Sequence, residues 1–302
     1  MKDFKAAIIA LIFIISFGYP QSIENLELRK QANTAYHNGE IYEAIKLLNQ
    51  ALINDSTDAL AFFNLANIYL SVPNRERAIK NFTRSINLDS SKKDLLLNQF
   101  IAYSGLSSRI NNLIQSFRGT NSSDSSYTKL VSIYMNKEFL EKNLKVFVNK
   151  NSNIPMFVDY FIWLGSPLGL KLFYSESGSN NNTYESSDKR RKLFSTLDEV
   201  TGTTKSIFNS IAKISEVLPH DKDSIEVASN DSEADSAFFR NLKDLTLTKF
   251  LANYSYLSDN EINELIDFYN SDIGQWLIRM KNEGYDYILH NAITNIFKEY
   301  KS

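Results

Sequence analysis

Apolar residues recur at intervals of three and four positions in several segments of this chain. Ile262, Leu265, Ile266 and Tyr269 form one such stripe, and acidic side chains occupy the opposite face. This spacing is typical of amphipathic α-helices, because one turn takes 3.6 residues. The chain has only 10 glycines and 5 prolines, so long helices are unobstructed and the frequent turns of an all-β fold are missing. We therefore predict an all-α fold.

One local pattern occurs twice. WLGSPLG (Trp163–Gly169) and FYNSDIG (Phe268–Gly274) each combine aromatic residues, a serine, and a glycine three positions after that serine. Upstream of each stretch, a helical pattern follows an N-cap residue, Asn153 or Ser258. In both places we predict a helix ending in aromatic residues, a tight corner and a second helix. The serine would cap the second helix, and the glycine, which lacks a Cβ, would let another backbone approach closely.

The similarity between these two parts of the chain extends further upstream. Gly105 aligns with Gly202, and each glycine is followed by an amphipathic pattern, so each is predicted to end a helix. We therefore predict that residues 94–175 and 190–302 are two related helical halves of a duplicated bundle module. The polar segment Ser175–Asp188 would connect them.

The first third of the chain contains a repeat of 34 positions. Tyr42–Ser56 is similar to Glu76–Ser90, and small or apolar residues recur at matching places. These residues are Ala32, Ala44, Leu48, Ala66, Ala78 and Phe82. The pattern resembles the tetratricopeptide repeat, a stack of helical hairpins with this period. We predict two such hairpins within residues 24–92, supported by the helix that starts near Asp94.

The resemblance to the tetratricopeptide repeat implies a groove that binds an extended peptide. The positions that would line this groove are Arg29, Asn33, Tyr36, His37, Phe63, Asn64, Asn67 and Leu70. Arg29, Asn33 and Asn64 fall where some members of the family hold a peptide's C-terminal carboxylate, and a cation with two amides suits that anion. The further cations of that site are missing, because Asp94 and Asn98 stand in their places. The alternative is that these are ordinary polar residues on a helix surface.

A second resemblance covers about residues 190 to 290. LSDNEINELIDFYNSDIGQWL and LDEVTGTTKSIFNSI are similar to the bacterial family catalogued as domain of unknown function 2059. Its characteristic motif is a helix ending in an aromatic pair, followed by Ser-Pro-x-Gly; here Asp272 replaces the proline. The resemblance implies a helical fold and an exported protein. The family has no established activity, so it implies no mechanism.

The N-terminus has the features of a signal peptide. Two lysines precede an apolar stretch, Ala6–Phe17, that is shorter than the about 20 residues needed to span a membrane. We therefore assign residues 1–22 to a signal peptide with cleavage near Gly18 to Ser22. The mature protein would be periplasmic or secreted and would have no transmembrane span. An uncleaved membrane anchor is the alternative.

Composition limits the possible functions. A formal net charge of −2 gives no general attraction to nucleic acid, so we expect no nucleic-acid partner. The absence of cysteine excludes disulfides, cysteine nucleophiles and thiolate metal sites. The three histidines, His37, His220 and His290, lie far apart in the sequence. We expect no metal and no cofactor.

Charged clusters offer little further chemistry. Glu261, Glu264 and Asp267 share one helix face and could in principle support acid–base catalysis, but the solvated face of an amphipathic helix explains them fully and is the preferred explanation. The basic run Asp188–Lys192 is predicted to be a solvated helix start, and the acidic segment Asp221–Asp235 a loop. We therefore predict that the protein is not an enzyme.

Two functions remain open. The first is a protein–protein interaction or scaffold role in the cell envelope, with a peptide bound in the tetratricopeptide-like groove. The second is a binding protein that holds a small or apolar ligand between its C-terminal helices. Aromatic residues are concentrated there, at Tyr254, Tyr256, Phe268, Tyr269, Trp276, Tyr285 and Tyr287. Core packing is the simpler explanation for those aromatics.

Overall fold

The computed structural model describes residues 23–118, 125–175, 187–215 and 232–300. Within these ranges it contains 15 α-helices and no β-strand, so the predicted all-α fold is confirmed. In chain order the helices are α1 (Ile23–His37), α2 (Ile41–Asn54), α3 (Ala59–Ser71), α4 (Arg75–Leu88), α5 (Ser91–Tyr103), α6 (Leu106–Arg118), α7 (Ser125–Tyr134), α8 (Lys137–Lys150), α9 (Ile154–Leu164), α10 (Pro167–Ser175), α11 (Asp188–Thr201), α12 (Thr203–Ser215), α13 (Ser232–Asn253), α14 (Asp259–Asn270) and α15 (Asp272–Tyr300).

The chain divides into two compact units that interleave in sequence. Unit 1 takes the described residues up to Phe100 together with Ser152–Leu170. Unit 2 takes Ile101–Asn151 and the described residues from Lys171 onward. The boundary predicted from the sequence lies between residues 92 and 94 and keeps 94–175 together. The structure instead groups the segment around α9 with the N-terminal helices.

The four N-terminal helices form two hairpins in unit 1. Helix α1 packs on α2, α3 packs on α4, and α2 packs on α3. The repeated small and apolar positions all lie inside: Ala32, Ala44, Leu48, Ala66, Ala78 and Phe82 are fully buried. Alanine at the helix contacts allows close approach, and the larger residues fill the remaining space. The 34-residue pattern therefore marks the core of the two hairpins.

Helix α9 completes unit 1. It packs against both α3 and α4, and Phe157 and Tyr160 lie 4.8 and 5.7 Å from Phe100 of α5, measured between ring centroids. Asp159 accepts two hydrogen bonds from Arg75, at 2.5 and 2.9 Å. The helix that packs on the second hairpin is therefore α9, from a distant part of the sequence, and α5 contacts α9 through Phe100. Support of the hairpins by the helix near Asp94 stays a prediction.

Unit 2 is organised around the 29-residue helix α15. This helix packs against α6, α7, α8, α12 and α14, while α11 packs against α12, α13 and α14. Gly284 makes the contact with α8 close, because a Cβ at that position would lie 3.2 Å from the Phe147 ring and 3.3 Å from Leu144. The buried residues of α15 recur at helical spacing: Trp276, Leu277, Met280, Ile288, Leu289, Ala292 and Ile296.

Both predicted corners are present. The Ser166 hydroxyl accepts a hydrogen bond from the Gly169 amide at 3.1 Å, and the Ser271 hydroxyl accepts one from the Gly274 amide at 3.2 Å. Each serine therefore caps the second helix of its corner, as expected.

The backbone that approaches each corner glycine belongs to the end of the preceding helix. A Cβ on Gly169 would lie 2.5 Å from the Trp163 carbonyl oxygen, and a Cβ on Gly274 would lie 2.5 Å from the Tyr269 Cα. Real Cβ contacts are not this short, so both corners require glycine. The close approach predicted for these positions is confirmed.

Other local features also lie where the sequence predicts them. Gly105 and Gly202 have φ angles of 78° and 60°, the left-handed conformation expected of a glycine that ends a helix. The side chains of Asn153 and Ser258 cap α9 and α14, and Ser258 forms a full capping box with Glu261. The duplication of the two halves stays a prediction.

Several predictions fall on parts of the chain that the structure does not describe. The signal peptide, residues 1–22, and His220 lie outside the described residues, as does most of the connector Ser175–Asp188. The predicted loop Asp221–Asp235 lies partly outside them, and its last residues belong to α13, which begins at Ser232. Among the described helices, none is both long and apolar enough to cross a membrane.

Candidate functional site

The predicted groove cation is already neutralised inside unit 1. Arg29 is only 6% exposed and forms an ion pair with Asp58, whose carboxylate is buried. Asp58 also caps α3, since its Oδ1 accepts a hydrogen bond from the Ala61 amide at 3.0 Å. The cation that the resemblance implied for a peptide C-terminus is therefore already paired with a carboxylate of the chain itself.

The predicted aromatic groove residues lie in the interior. Phe63 is fully buried, and its ring meets Phe82 edge to face with 5.2 Å between centroids. Tyr36 is buried as well, and burial raises the pKa of its phenol. Of the remaining lining positions, Leu70 is half-buried and His37 is exposed. Phe63 and Tyr36 therefore contribute to the core rather than to an open surface, which corrects the expectation for them.

The three groove asparagines share an unusual feature. Asn64 and Asn67 are buried, and Asn33 is half-buried. Among the described residues, no hydrogen-bond partner meets the Oδ1 atom of Asn33 or Asn64, or either amide atom of Asn67. A buried polar atom without a partner typically costs about 1–3 kcal/mol. The hairpins thus contain side-chain amide atoms that have no hydrogen-bond partner among the described residues.

A cavity of about 160 Å³ lies within unit 2 and is partly open to solvent. It forms where α6, α14 and α15 meet the corner between α11 and α12 and the C-terminal end of α13. The lining residues are Arg109, Leu197, Thr201, Thr203, Phe250, Tyr254, Tyr269, Ile278, Lys281 and Asn282. Tyr269 is the last aromatic residue before the second corner, so that corner helps to form the site.

Arg109 is the most distinctive residue of this lining. Its Nη1 donates to the Asn282 side-chain oxygen at 3.0 Å and to the Lys281 carbonyl oxygen at 3.4 Å. No carboxylate of the described residues lies within ion-pair distance of Arg109. Burial lowers the pKa of its guanidinium, while the neighbouring Tyr269, Tyr285 and Tyr254 oppose that shift. Arg109 is therefore a half-buried cation without a counter-charge from the described residues.

The corner between α11 and α12 supplies two hydroxyl groups to the cavity. Thr201 and Thr203 lie on either side of Gly202, and their Oγ1 atoms are 2.7 Å apart. Asp198 stabilises this corner, because its buried carboxylate accepts from the Thr204 amide at 2.9 Å and from the Thr204 hydroxyl at 2.7 Å. The positive φ of the intervening glycine thus places two polar side chains in one wall.

Arg190 stabilises the aromatic part of the cavity lining around Tyr254. Its guanidinium donates to the carbonyl oxygens of Tyr254 and Leu257, at 3.0 and 2.8 Å, and to Asp259 at 2.9 Å. It also lies over the ring of Phe194, which stacks on Tyr254. The basic run containing Arg190 was predicted to be solvated. For Arg190 that prediction is wrong, because carbonyl groups at the end of α13 need a donor and α11 supplies it.

The carboxylates considered for acid–base chemistry do not form a shared site. Glu261 receives hydrogen bonds from Lys171 at 2.6 Å and from the Ser258 amide at 2.7 Å, which lower its pKa to about 2. Glu264 and Asp267 are exposed on α14. Elsewhere in the described ranges, no group of three or more histidine, aspartate or glutamate side chains is placed to hold a metal ion.

Comparison of the chain with protein families, with curated proteins and with solved structures finds no match. The resemblances to the tetratricopeptide repeat and to domain of unknown function 2059 therefore stay predictions. A function for this chain has to be inferred from its own geometry.

Proposed function

We propose that this chain is an exported binding protein whose ligand site is the cavity of unit 2. The observation that carries the proposal is the convergence of a half-buried arginine, two threonines and three aromatic residues on one partly open cavity. Ligand pockets are typically concave and mostly apolar, with a few polar groups that orient the ligand. This lining combines apolar and aromatic side chains with polar ones in about equal numbers.

The composition of the lining favours binding over catalysis. Among the described residues that line it there is no histidine, aspartate or glutamate, the commonest general bases, beside its lysine and tyrosines. Its ionisable groups are two cations and two tyrosines. Such groups suit recognition of a ligand, so we place the protein among binding proteins rather than enzymes.

Export is the second part of the proposal, and the N-terminal signal pattern supports it. The intact mass of the protein recovered from a bacterial periplasmic or culture fraction would test it. We expect a mature chain that starts between residues 19 and 23. A full-length chain retained with the membrane would point to an uncleaved anchor instead.

A cavity-filling variant tests the ligand site. Ile278→Trp adds a ring to the lining, whereas Leu245→Trp adds the same ring at an exposed position of α13. The wild-type protein should show a rise in melting temperature with at least one compound from a panel of benzene-sized molecules, because a ligand that binds only the folded state stabilises it. We expect Ile278→Trp to lose this rise and Leu245→Trp to retain it. A rise that persists in Ile278→Trp would place the site elsewhere.

A protein partner bound by the N-terminal hairpins is the second candidate. The unsatisfied amide atoms of Asn33, Asn64 and Asn67 favour it, since a peptide backbone could supply their missing hydrogen bonds. It ranks below the cavity because Asp58 already pairs with Arg29 and because Asn64 and Asn67 are covered.

Peptide binding can be tested by fluorescence polarisation with a labelled peptide library in two forms, with free and with amidated C-termini. The second candidate predicts binding that Asn33→Ala weakens and that prefers the free carboxylate. Binding unaffected by Asn33→Ala, or no binding by the whole library, would remove it.

A further inference from the structure

We infer that the cavity of unit 2 binds a small organic carboxylate, with Arg109 as the counter-charge. This inference depends on the proposed ligand site and adds the chemical class of the ligand. Three independent observations support it: the charge of the lining, the hydrogen-bond donors of Arg109 and the size of the cavity.

The charge of the lining favours an anion. Among the described residues that line it, the charged ones are Arg109 and Lys281, and both are cationic. Arg109 is half-buried, and an uncompensated charge is costly to the extent that it is removed from water. No carboxylate within the described ranges pairs with Arg109. A ligand anion would provide the compensation that the chain does not.

Arg109 also has donors left for a ligand. A guanidinium carries five N–H groups in a fixed planar fork. The contacts of Arg109 to α15 involve only Nη1, and no acceptor among the described residues meets Nε or Nη2. An arginine with one side held by the protein and the other side open matches the two oxygens of a carboxylate.

The size and walls of the cavity limit the rest of the ligand. Its volume of about 160 Å³ is close to that of a known apolar cavity of about 150 Å³ that accepts benzene. Phe250, Tyr254 and Tyr269 provide aromatic surface next to the polar groups. The ligand should therefore combine a carboxylate with an apolar body of about the size of one six-membered ring.

A purely structural role for Arg109 makes a different prediction. In that case its only task would be to link α6 to α15 through Lys281 and Asn282. Removing it would lower the stability of the empty protein and would change the binding of charged and neutral ligands equally. A ligand-binding role predicts a selective effect on anions.

Benzoate and benzamide provide a matched pair of probes, since they have nearly the same size and differ in charge. Their dissociation constants would be measured by titration calorimetry on the full mature chain. Arg109→Gln removes the charge, and Arg109→Lys keeps it without the planar fork. Arg279→Gln is the control, because Arg279 is an exposed arginine on the same helix as Lys281.

We expect the wild-type protein to bind benzoate about tenfold more tightly than benzamide, or better. Arg109→Gln should reduce this preference to less than about threefold, Arg109→Lys should retain part of it, and Arg279→Gln should leave it unchanged. Inorganic phosphate should bind more weakly than benzoate, because it has no apolar body. Tighter binding of phosphate would overturn the assignment to a carboxylate.

The outcomes separate the two proposals. Equal binding of benzoate and benzamide that Ile278→Trp abolishes would leave the cavity as the ligand site and overturn the anion inference. An equal loss of both probes in Arg109→Gln, together with a lower melting temperature of the empty protein, would show a structural role and also overturn it. If the wild-type chain bound none of the three probes but still gave a rise in melting temperature with the benzene-sized panel, only the anion inference would fail. No binding by the probes and no rise with the panel would overturn both proposals.

Discussion

At the scale of single residues, the tightest steric requirement lies at Gly274. A Cβ there would collide with backbone atoms of the preceding helix end, lying 2.5 Å from the Tyr269 Cα. Backbone atoms cannot move aside as the end of a flexible side chain can, so α14 or α15 would have to shift. Tyr269 lines the cavity. A shift of α14 or α15 caused by a side chain at position 274 would therefore also move a residue of the ligand site.

We predict that Gly274→Ala lowers the free energy of unfolding by about 3 kcal/mol, at the upper end of the usual cost of overpacking. Gly202→Ala is the comparison. Gly202 has a positive φ of 60°, but a Cβ added there would have no atom within 4 Å, so its substitution should cost only about 1 kcal/mol of backbone strain. Urea denaturation of both variants measures the difference. Equal losses would show that the close approach at Gly274 is not the cause.

Glu261 gives a prediction about pH. Its hydrogen bonds lower its pKa to about 2, below the value of about 4.3 expected in the unfolded chain. A carboxyl with a lowered pKa stabilises the fold above the unfolded pKa, and this stabilisation is lost as the pH falls towards the folded pKa.

We therefore expect Glu261→Gln to be less stable than the wild-type protein at pH 6 and equally stable near pH 2. The difference at pH 6 should be about 1 kcal/mol, because Glu261 and Lys171 are partly exposed and solvent screens their attraction. Glu264→Gln, at an exposed position of the same helix, should show no such pH dependence. Denaturation between pH 2 and pH 6 tests this, and a difference that does not vary with pH would contradict it.

Residues whose role depends on local spacing were predictable. The alanines of the 34-residue repeat and the serine caps follow from helical periodicity and capping chemistry alone, and they lie where expected. The contacts of Arg109 and Arg190 were not predictable, because their partners are distant in sequence. A signal for Arg109 does exist, since it lies between Leu106 and Ile110 in an apolar stripe whose other members are buried. A cation in such a stripe needs an explanation.

At the scale of elements, the turn between α13 and α14 depends on α11. Arg190 donates to two carbonyl oxygens and one carboxylate there. Carbonyl groups at the end of a helix lack intrahelical partners, so an external donor stabilises them. This contact holds Tyr254 in the wall of the cavity.

We predict that Arg190→Ala lowers the free energy of unfolding by about 2–3 kcal/mol, because several hydrogen bonds to a charged group are lost. Arg191→Ala is a matched control from the adjacent position. Arg191 is exposed, so its removal should change the stability by less than about 0.5 kcal/mol. Thermal and urea unfolding of both variants would measure this. Similar values for the two would mean that the contacts of Arg190 add little to stability.

Helix α9 was predicted in its position along the chain but not in its packing. Its N-cap, its proline in the first turn and its aromatic end are all visible in the sequence. Nothing in that local pattern indicates that it packs on α3 and α4. Contacts between segments so far apart depend on complementary surfaces, such as the ion pair of Arg75 and Asp159. A single sequence does not show which surfaces are complementary.

At the scale of the whole molecule, the interleaving of the two units leads to a prediction about Phe157. This residue is buried, belongs to α9 and packs on Phe100. We expect Phe157→Ala to cost about 3–5 kcal/mol and to speed amide hydrogen exchange in α3 and α4, far earlier in the sequence. Phe161→Ala, at a half-buried position of the same helix, should have a smaller effect. Faster exchange confined to α9 would contradict the assignment of this helix to unit 1.

The fold class and the two sets of hairpin and corner elements could thus be derived from sequence patterns, whereas the candidate site could not. The predicted site residues Arg29 and Phe63 instead contact Asp58 and Phe82 within unit 1. The cavity forms where α6, α11, α13, α14 and α15 meet, and each of these helices contributes only a few residues. Such a site depends on tertiary packing, so the sequence indicated its aromatic part but not its charge.

The central claim is that the protein binds a ligand in the cavity of unit 2 rather than in the N-terminal hairpins. The most direct test is a residue-resolved NMR titration of the mature chain with benzoate. The claim predicts saturable shifts of the backbone amide signals of Thr201, Thr203 and Asn282, with the signals of α1 and α3 unchanged. Shifts confined to α1 and α3, or no saturable shift anywhere, would contradict it.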